Sequence, residues 1–253
     1  MKIDLLLPTR NRPHRLEELF NSIQDTAYSF DNICIYLYVD DDDDSTLSRI
    51  EPLKKQFKLL DITFIVGERI AISKAWNLLW EKSKSEIIMC CSDDIRFESQ
   101  DWDKIVIDTF DKSEDKILFV FGNDGITPRN HYGEGLGTHG FVSRKSTNIL
   151  GYFYPAPYFA CNFNDTWLNT LYGRRGWGPT FQQDGPERGL NRKVELYDEL
   201  VTKHYHCSVY PEYYDRTESE MRSQHQASAN IYFSTEMINK RIDDIEKLKK
   251  HIK

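Results

Sequence analysis

Short apolar runs alternate with amphipathic stretches through the first half of the chain. Runs over 3–7, 33–39, 62–66, 86–91 and 117–121 are rich in Ile, Leu, Val, Phe or Tyr. They are too brief for buried helices and predict strands. Between them Leu16, Leu19, Phe20 and Ile23 recur at helical spacing, as do Ile72, Ala75, Trp76, Leu79 and Trp80, which predicts helix faces packed on a sheet. Repeated βα units predict an α/β fold with a mainly parallel central sheet flanked by helices. After residue 122 the sequence turns Gly-, Pro- and aromatic-rich, the composition of irregular loops that carry binding sites on a rigid scaffold. At the C-terminus Ile238, Ile242, Ile245, Leu248 and Ile252 step by four, three, three and four, predicting an amphipathic helix within 230–253 that packs on its own domain. With no internal repeat and no flexible linker, 1–253 reads as a single domain.

Composition narrows the functional classes. Of 253 residues 40% are hydrophobic and 13% aromatic, enough for one continuous core and too much for wholesale disorder. Lys plus Arg at 33 against Asp plus Glu at 40 gives −7, which disfavours broad adhesion to nucleic acid or anionic membrane and leaves a local basic groove as the route to a polyanion. The five cysteines show no CxxC spacing, so neither a disulfide framework nor a structural zinc site is expected. No signal h-region and no transmembrane segment is legible, and a cytoplasmic location is expected.

In open α/β sheets ligands bind beyond the carboxyl ends of the strands. Here the first strand runs into Pro8-Thr9-Arg10-Asn11-Arg12, the second into Asp40 to Asp44 and Ser45, and the fourth into Ser92-Asp93-Asp94. A basic, hydrogen-bonding loop beside two acidic ones suits a nucleoside diphosphate with a divalent cation between the carboxylates and phosphates. The Asp40 to Asp44 run imitates an EF-hand loop but has Ser45 where the turn needs Gly and follows a strand rather than a helix. Asp40, at the strand edge, with Asp42 beside it, is a better candidate for the ligand than Asp43 and Asp44, for which a solvated turn is the alternative. Crowding Asp93 against Asp94 is costly without a cation, and the alternative is a helix N-cap for the segment that follows. His204 and His206, two apart, share a face if extended, and one of them completes a metal site or both are structural. Asp165 in Asn164-Asp165-Thr166-Trp167 reads equally as a general base or as the cap of a helix over 166–171. Residues 141–144 and 152–159 are candidates for an acceptor pocket.

These motifs, in this order, resemble the GT-A glycosyltransferases, particularly the family 2-like branch, over residues 3 to about 217. That family's P-x-x-N-R type loop is matched by Pro8 to Arg12, its base-contacting acid by Asp40, its Asn on the helix before the metal-motif strand by Asn77, and its metal motif by Ser92-Asp93-Asp94. Ile95-Arg96-Phe97 and Trp102-Asp103 are also typical of the branch. The chain departs from the pattern at Ser92, which stands for the first acid of D-x-D, and at Trp76, which stands where relatives often have Arg.

The resemblance implies a GT-A, Rossmann-like nucleotide-diphospho-sugar transferase fold. Residues 1–122 would form the nucleotide-sugar half and 123–217 the acceptor and catalytic half. It implies a metal-dependent, inverting transfer from a nucleoside diphosphate sugar to an acceptor hydroxyl, with Mn2+ or Mg2+ as cofactor. Pro8, Thr9, Arg10, Asn11, Arg12, Asp40, Asp42, Asn77 and Asp93 would contact the donor nucleotide. Asp94 and one of His204 and His206 would hold the metal, and Asp165 would be the base. The acceptor would be a glycan, a lipid-linked sugar, a protein or, since small members occur in bacteriophages, a hydroxymethylated DNA base, with Arg174, Arg175 and residues 188–193 on its phosphates. Two other classes compete: nucleotidyl transfer, which would show a Gly-rich phosphate loop that this sequence lacks, and a catalytically inactive nucleotide- or sugar-binding module.

Overall fold

The five apolar runs become strands of one sheet in the computed structural model, which describes residues 1–130, 133–174 and 187–253. In chain order the elements are β1 (Ile3–Thr9), α1 (Pro13–Thr26), β2 (Ile33–Asp40), α2 (Asp44–Leu47), α3 (Ile50–Gln56), β3 (Asp61–Gly67), α4 (Ile72–Lys82), β4 (Ile87–Cys90), β5 (Ile95–Phe97) and α5 (Trp102–Asp111). They continue with β6 (Phe119–Asn123), β7 (Gly140–Ser143), α6 (Arg144–Leu150), α7 (Asn164–Tyr172), β8 (Lys193–His204), α8 (Arg216–Ser223), α9 (His225–Tyr232) and α10 (Thr235–Lys249). Among the described residues the strands follow the order β3-β2-β1-β4-β7-β6-β8-β5.

The β3-β2-β1-β4 portion is parallel, as βα alternation requires. Beyond β4 the sheet is mixed: β7 runs antiparallel to β4 and β6, β8 is parallel to β6, and β5 is antiparallel to β8. Side chains of β1 alternate between two apolar layers. Ile3, Leu5 and Leu7 meet Leu16, Leu19, Phe20 and Ile23 of α1 and Trp102 and Val106 of α5. Leu6 faces the other way, into the layer of Ala75, Trp76 and Leu79 of α4, Trp167 and Leu171 of α7, and Ile245 and Leu248 of α10. The fully buried Asp4 is tolerated because it accepts from the Lys84 and Ser85 N–H groups and the Ser85 hydroxyl.

The C-terminal helix packs on α6 and α7, but its buried stripe is rotated from the all-aliphatic one predicted. Met237, Arg241, Asp244, Ile245 and Leu248 face inward and Ile242 is exposed. Two charged side chains take interior positions because each finds a partner: Arg241 pairs with buried Glu187 and donates to the Tyr232 carbonyl (2.8 Å), and Asp244 accepts from the Tyr152 hydroxyl and Lys240. Among the described residues no helix is long and apolar enough to cross a membrane.

One irregularity decides where the chemistry falls. The β6–β8 register jumps from Gly122↔Leu196 to Asn123↔Val201, so β8 bulges and restarts. Gly122 is required there, because a Cβ would lie 2.1 Å from the Leu200 carbonyl oxygen. After the bulge β8 pairs with β5 so that His204 stands opposite Ile95, next to Asp94.

Candidate functional site

A cavity of about 1170 Å3 opens at the carboxyl ends of β1, β2 and β4. Ten of the thirteen residues singled out from the sequence line it: Pro8, Thr9, Arg10, Arg12, Asp40, Asp93, Asp94, Asp165, His204 and His206. Asn11, Asp42 and Asn77 do not. Asn11, at φ +58°, turns the loop and donates its N–H to Asp43 (2.7 Å). Asp42 is exposed and pairs with Arg10 (3.0 Å). Asn77, expected on the donor, instead clamps the aromatic wall: its Oδ1 accepts from the Phe153 and Tyr154 N–H groups, both at 2.9 Å, and its Nδ2 donates to the Tyr154 carbonyl.

The segment after Asp94 is strand β5, so no helix exists there for Asp93 or Asp94 to cap. The acidic run splits as its neighbours dictate. Asp43 is fully buried and caps α2 by accepting from Thr46 N–H, whereas Asp40 stays at the cavity.

Asp94, His139 and His204 bring one carboxylate oxygen and two ring nitrogens within 4.8 Å of one another. His204 Nε2 is 3.4 Å from Asp94, and the His139 and His204 rings meet edge to face at 4.7 Å. Nδ1 of each ring is buried and has no hydrogen-bond partner among the described residues. One hard oxygen and two imidazoles form a donor set suited to a divalent transition ion, so the residues fit the cation expected from the sequence. Burial, reinforced by His204, pushes His139 down to about 3 and keeps it neutral, the state a ligand needs. Burial alone would raise Asp94; His204, His139 and the Ser92 hydroxyl outweigh it and hold the carboxyl well below the usual range. Burial would lower His204, but Asp94 prevails and raises it.

His139 is not singled out by the sequence, which offers either His204 or His206 as the histidine ligand; of those two, His204 joins the Asp94 group. His206 belongs to a different group, with Cys207 and Glu218, and its Nδ1 lies 2.7 Å from the Ser208 hydroxyl.

The arginines at the cavity already have acid partners. Arg10 bonds Asp40 (2.8 Å) and Asp42, and Arg12 bonds Asp215 through Nε (2.7 Å) and Nη2 (2.9 Å) and approaches Asp93 (3.5 Å). Arg69 pairs with Glu220 (2.8 Å) and Arg222 with Glu218 (3.0 Å). Asp93 also accepts from the Thr9 hydroxyl (2.7 Å); burial nevertheless raises its pKa, against Arg12 and with the push of Asp94.

Asp165 lies in the first turn of α7 and lines the cavity. The capping position falls on Phe163, and Asp165 accepts from the N–H and hydroxyl of its neighbour Thr166. Burial raises its pKa, with Thr166 acting in the opposite sense, which makes it a stronger base than an exposed carboxylate. Of the cationic positions considered for a polyanion, Arg175 lies outside the described residues, and Arg174, Arg188, Arg192 and Lys193 do not line the cavity. Arg192 is bound to Asp115, and Lys193 donates to the Gly135 carbonyl.

The family model described as Glycosyl transferase family 2 matches residues 4–171. Among solved structures, the chain is similar to the mannosyltransferase PcManGT from Pyrobaculum calidifontis in complex with GDP-Man and Mn2+, with a TM-score of 0.62 at 15% identity over 99% of this chain and 73% of that one. It is also similar to S. aureus TarS 1-349, with a TM-score of 0.53 at 13% identity over 100% and 83% of the two chains. For the same protein in complex with UDP the values are 0.54, 14%, 94% and 74%. No curated protein matches. At these identities the likeness is one of fold.

Proposed function

The chain belongs to glycosyl transferase family 2, and on that premise we propose that it moves a sugar from a nucleoside diphosphate sugar to an acceptor hydroxyl with inversion, assisted by a divalent cation at Asp94, His139 and His204. The single observation that carries this reading is the charge arrangement of the cavity. Asp40, Asp93, Asp94 and Asp165 face it, and Arg10, Arg12, Arg69 and Arg222 are each already paired with a carboxylate. A diphosphate entering this space needs positive charge that the four described arginines lining it do not have to spare, and the Asp94 group is where a cation would supply it. The solved relatives named above include complexes with GDP-Man and Mn2+ and with UDP, ligands of the class proposed here.

The cation, when bound, neutralises charge that develops on the departing diphosphate. The rest falls to the chain. Asp40 and the Pro8 to Arg12 loop take the nucleoside, and Thr9 and Arg12 hold Asp93 toward the ribose or sugar. Asp165 accepts the proton of the acceptor hydroxyl while the hydroxyl oxygen forms the new bond to the anomeric carbon and the sugar–phosphate bond breaks on the opposite face. The raised affinity of Asp165 for a proton suits that task.

A panel of nucleotide sugars, each with and without Mn2+ or Mg2+, tests the proposal by thermal shift and by release of free nucleoside diphosphate. Metal-dependent binding with release through hydrolysis or transfer is expected. Binding that never liberates diphosphate would instead identify a recognition module.

A further inference from the structure

Asn164 is the first residue of α7 and sits beside Asp165 on the cavity wall. It is only 6% exposed. Its Nδ2 donates to the Cys161 carbonyl at 3.1 Å, which fixes the amide orientation, because the reverse flip would set oxygen against oxygen. Its Oδ1 is buried and accepts no hydrogen bond from any described residue. An amide oxygen left in that state has lost its water without gaining a partner, which destabilises the free protein.

The backbone is also unusual at this point. Phe163, just before Asn164, has φ +73°, a conformation that bulky residues adopt only under constraint and that concentrates at functional positions. Its ring is held against Tyr232, stacked at 5.1 Å, and lies 5.4 Å from His225. That turn sets Asn164 on the wall of the cavity that Trp76 and Tyr154 also line.

We propose that Asn164 Oδ1 is a specificity-determining acceptor for one sugar hydroxyl during transfer. The inference rests on the glycosyl-transfer reading above. An amide oxygen can only accept, so it selects for a hydroxyl and against a group that cannot donate. The hydroxyl belongs either to the donor sugar or to the sugar that receives it, and the test has an arm for each. Asn164→Leu removes the donation to Cys161 and the acceptor oxygen together; Asn164→Asp keeps an acceptor oxygen, loses the donation and sets a carboxylate oxygen near the Cys161 carbonyl.

In the donor arm, the full chain with Mn2+ is titrated with UDP, GDP, their sugar conjugates and deoxyfluoro analogues of those conjugates. In the acceptor arm, free mono- and disaccharides and their deoxyfluoro analogues are titrated against the chain saturated with nucleoside diphosphate. Asn164→Leu should weaken one arm about five- to tenfold, the scale of one neutral hydrogen bond, and leave UDP or GDP affinity unchanged. Wild type and Asn164→Asp should discriminate hydroxyl from fluorine at one sugar position, and Asn164→Leu should not. Should Asn164→Leu fail to fold, seen as loss of nucleoside diphosphate binding, the hydroxyl–fluorine comparison in Asn164→Asp decides. Equal losses in Leu and Asp variants would make the residue a brace for Cys161 and overturn the proposal, as would unchanged affinities in both arms. A wild-type chain that binds UDP or GDP but no conjugate, and releases nothing, would overturn the transfer reading itself and this one with it.

Discussion

His204 Nε2 stands 3.4 Å from the Asp94 carboxylate because β8, after its bulge, pairs with β5 in the register that sets His204 opposite Ile95. Two backbone bonds fix the pair: His204 N–H donates to the Asp124 carbonyl at 2.9 Å, and Tyr205 N–H donates to the Asp94 carbonyl at 2.8 Å. The carboxylate and imidazole are therefore held together by backbone bonds at the ends of β5, β6 and β8, where the cation proposed above would bind.

The same geometry separates His139, which the sequence does not single out, from His206, which it offers as an alternative to His204. His139→Ala should weaken Mn2+ binding by at least the order of 10- to 100-fold seen when even an outer partner of a metal ligand is lost. His206→Ala should leave it near wild type. Calorimetric titration of each variant with Mn2+ decides, and the reverse pattern would move the ligand set to the His206 side.

Asp165→Asn should keep nucleotide-sugar affinity and melting temperature close to wild type and lower transfer by roughly 10²- to 10⁴-fold, the scale of a lost general base. Among the described residues the Asp165 carboxylate bonds only its neighbour Thr166, and its carbonyl bond to Asn169 survives the change, so little of the fold depends on the side chain. A much lower melting temperature with activity tracking the folded fraction would return the residue to a local structural role.

Acid stability should depend on Asp215. Burial alone would raise this carboxyl, but Arg12, the Glu218 N–H and Arg15 together hold it below the ordinary value. A group whose folded pKa is depressed contributes fully above the unfolded value, about 3.9, and loses its contribution as pH falls from there toward the folded value. Asp215→Asn should therefore lower the melting temperature at pH 7 and flatten its decline below about pH 4. Parallel wild-type and variant melting curves through that range would contradict this.

The interior pair of Glu187 and Arg241, each side chain 1% exposed, ties the chain just before β8 to the C-terminal helix. Glu187→Gln leaves the guanidinium without its counter-charge and should cost about 3–5 kcal/mol in urea unfolding. Adding Arg241→Met should recover part of that loss. A single variant within about 0.5 kcal/mol of wild type, the range of an ordinary surface change, would show the pair to be dispensable.

The parallel half of the fold was legible because β1 to β4 and α1 and α4 follow simple periods, and the donor-side loops follow from where those strands end. β8 was not legible. Its sequence carries Glu195, Asp198 and Glu199, and its bulge breaks the alternation that would mark a strand. The C-terminal stripe was misjudged at Ile242 because a buried Arg241 and Asp244 are invisible to a hydrophobic period. His139 carries no spacing signal toward Asp94. The one local clue is its setting between Gly137 and Gly140, where added Cβ atoms would strike Phe121 (2.6 Å) and Phe119 (2.3 Å), a mark of close packing at the site.

The most direct test of the account is nucleotide-sugar affinity of the wild type and Asp94→Asn, each measured by calorimetry in Mn2+ and in EDTA. EDTA should weaken binding to the wild type severely, Asp94→Asn in Mn2+ should resemble the wild type in EDTA, and the variant should be insensitive to the chelator. Equal wild-type affinity with and without the cation would contradict this, because the paired arginines would then suffice for the diphosphate.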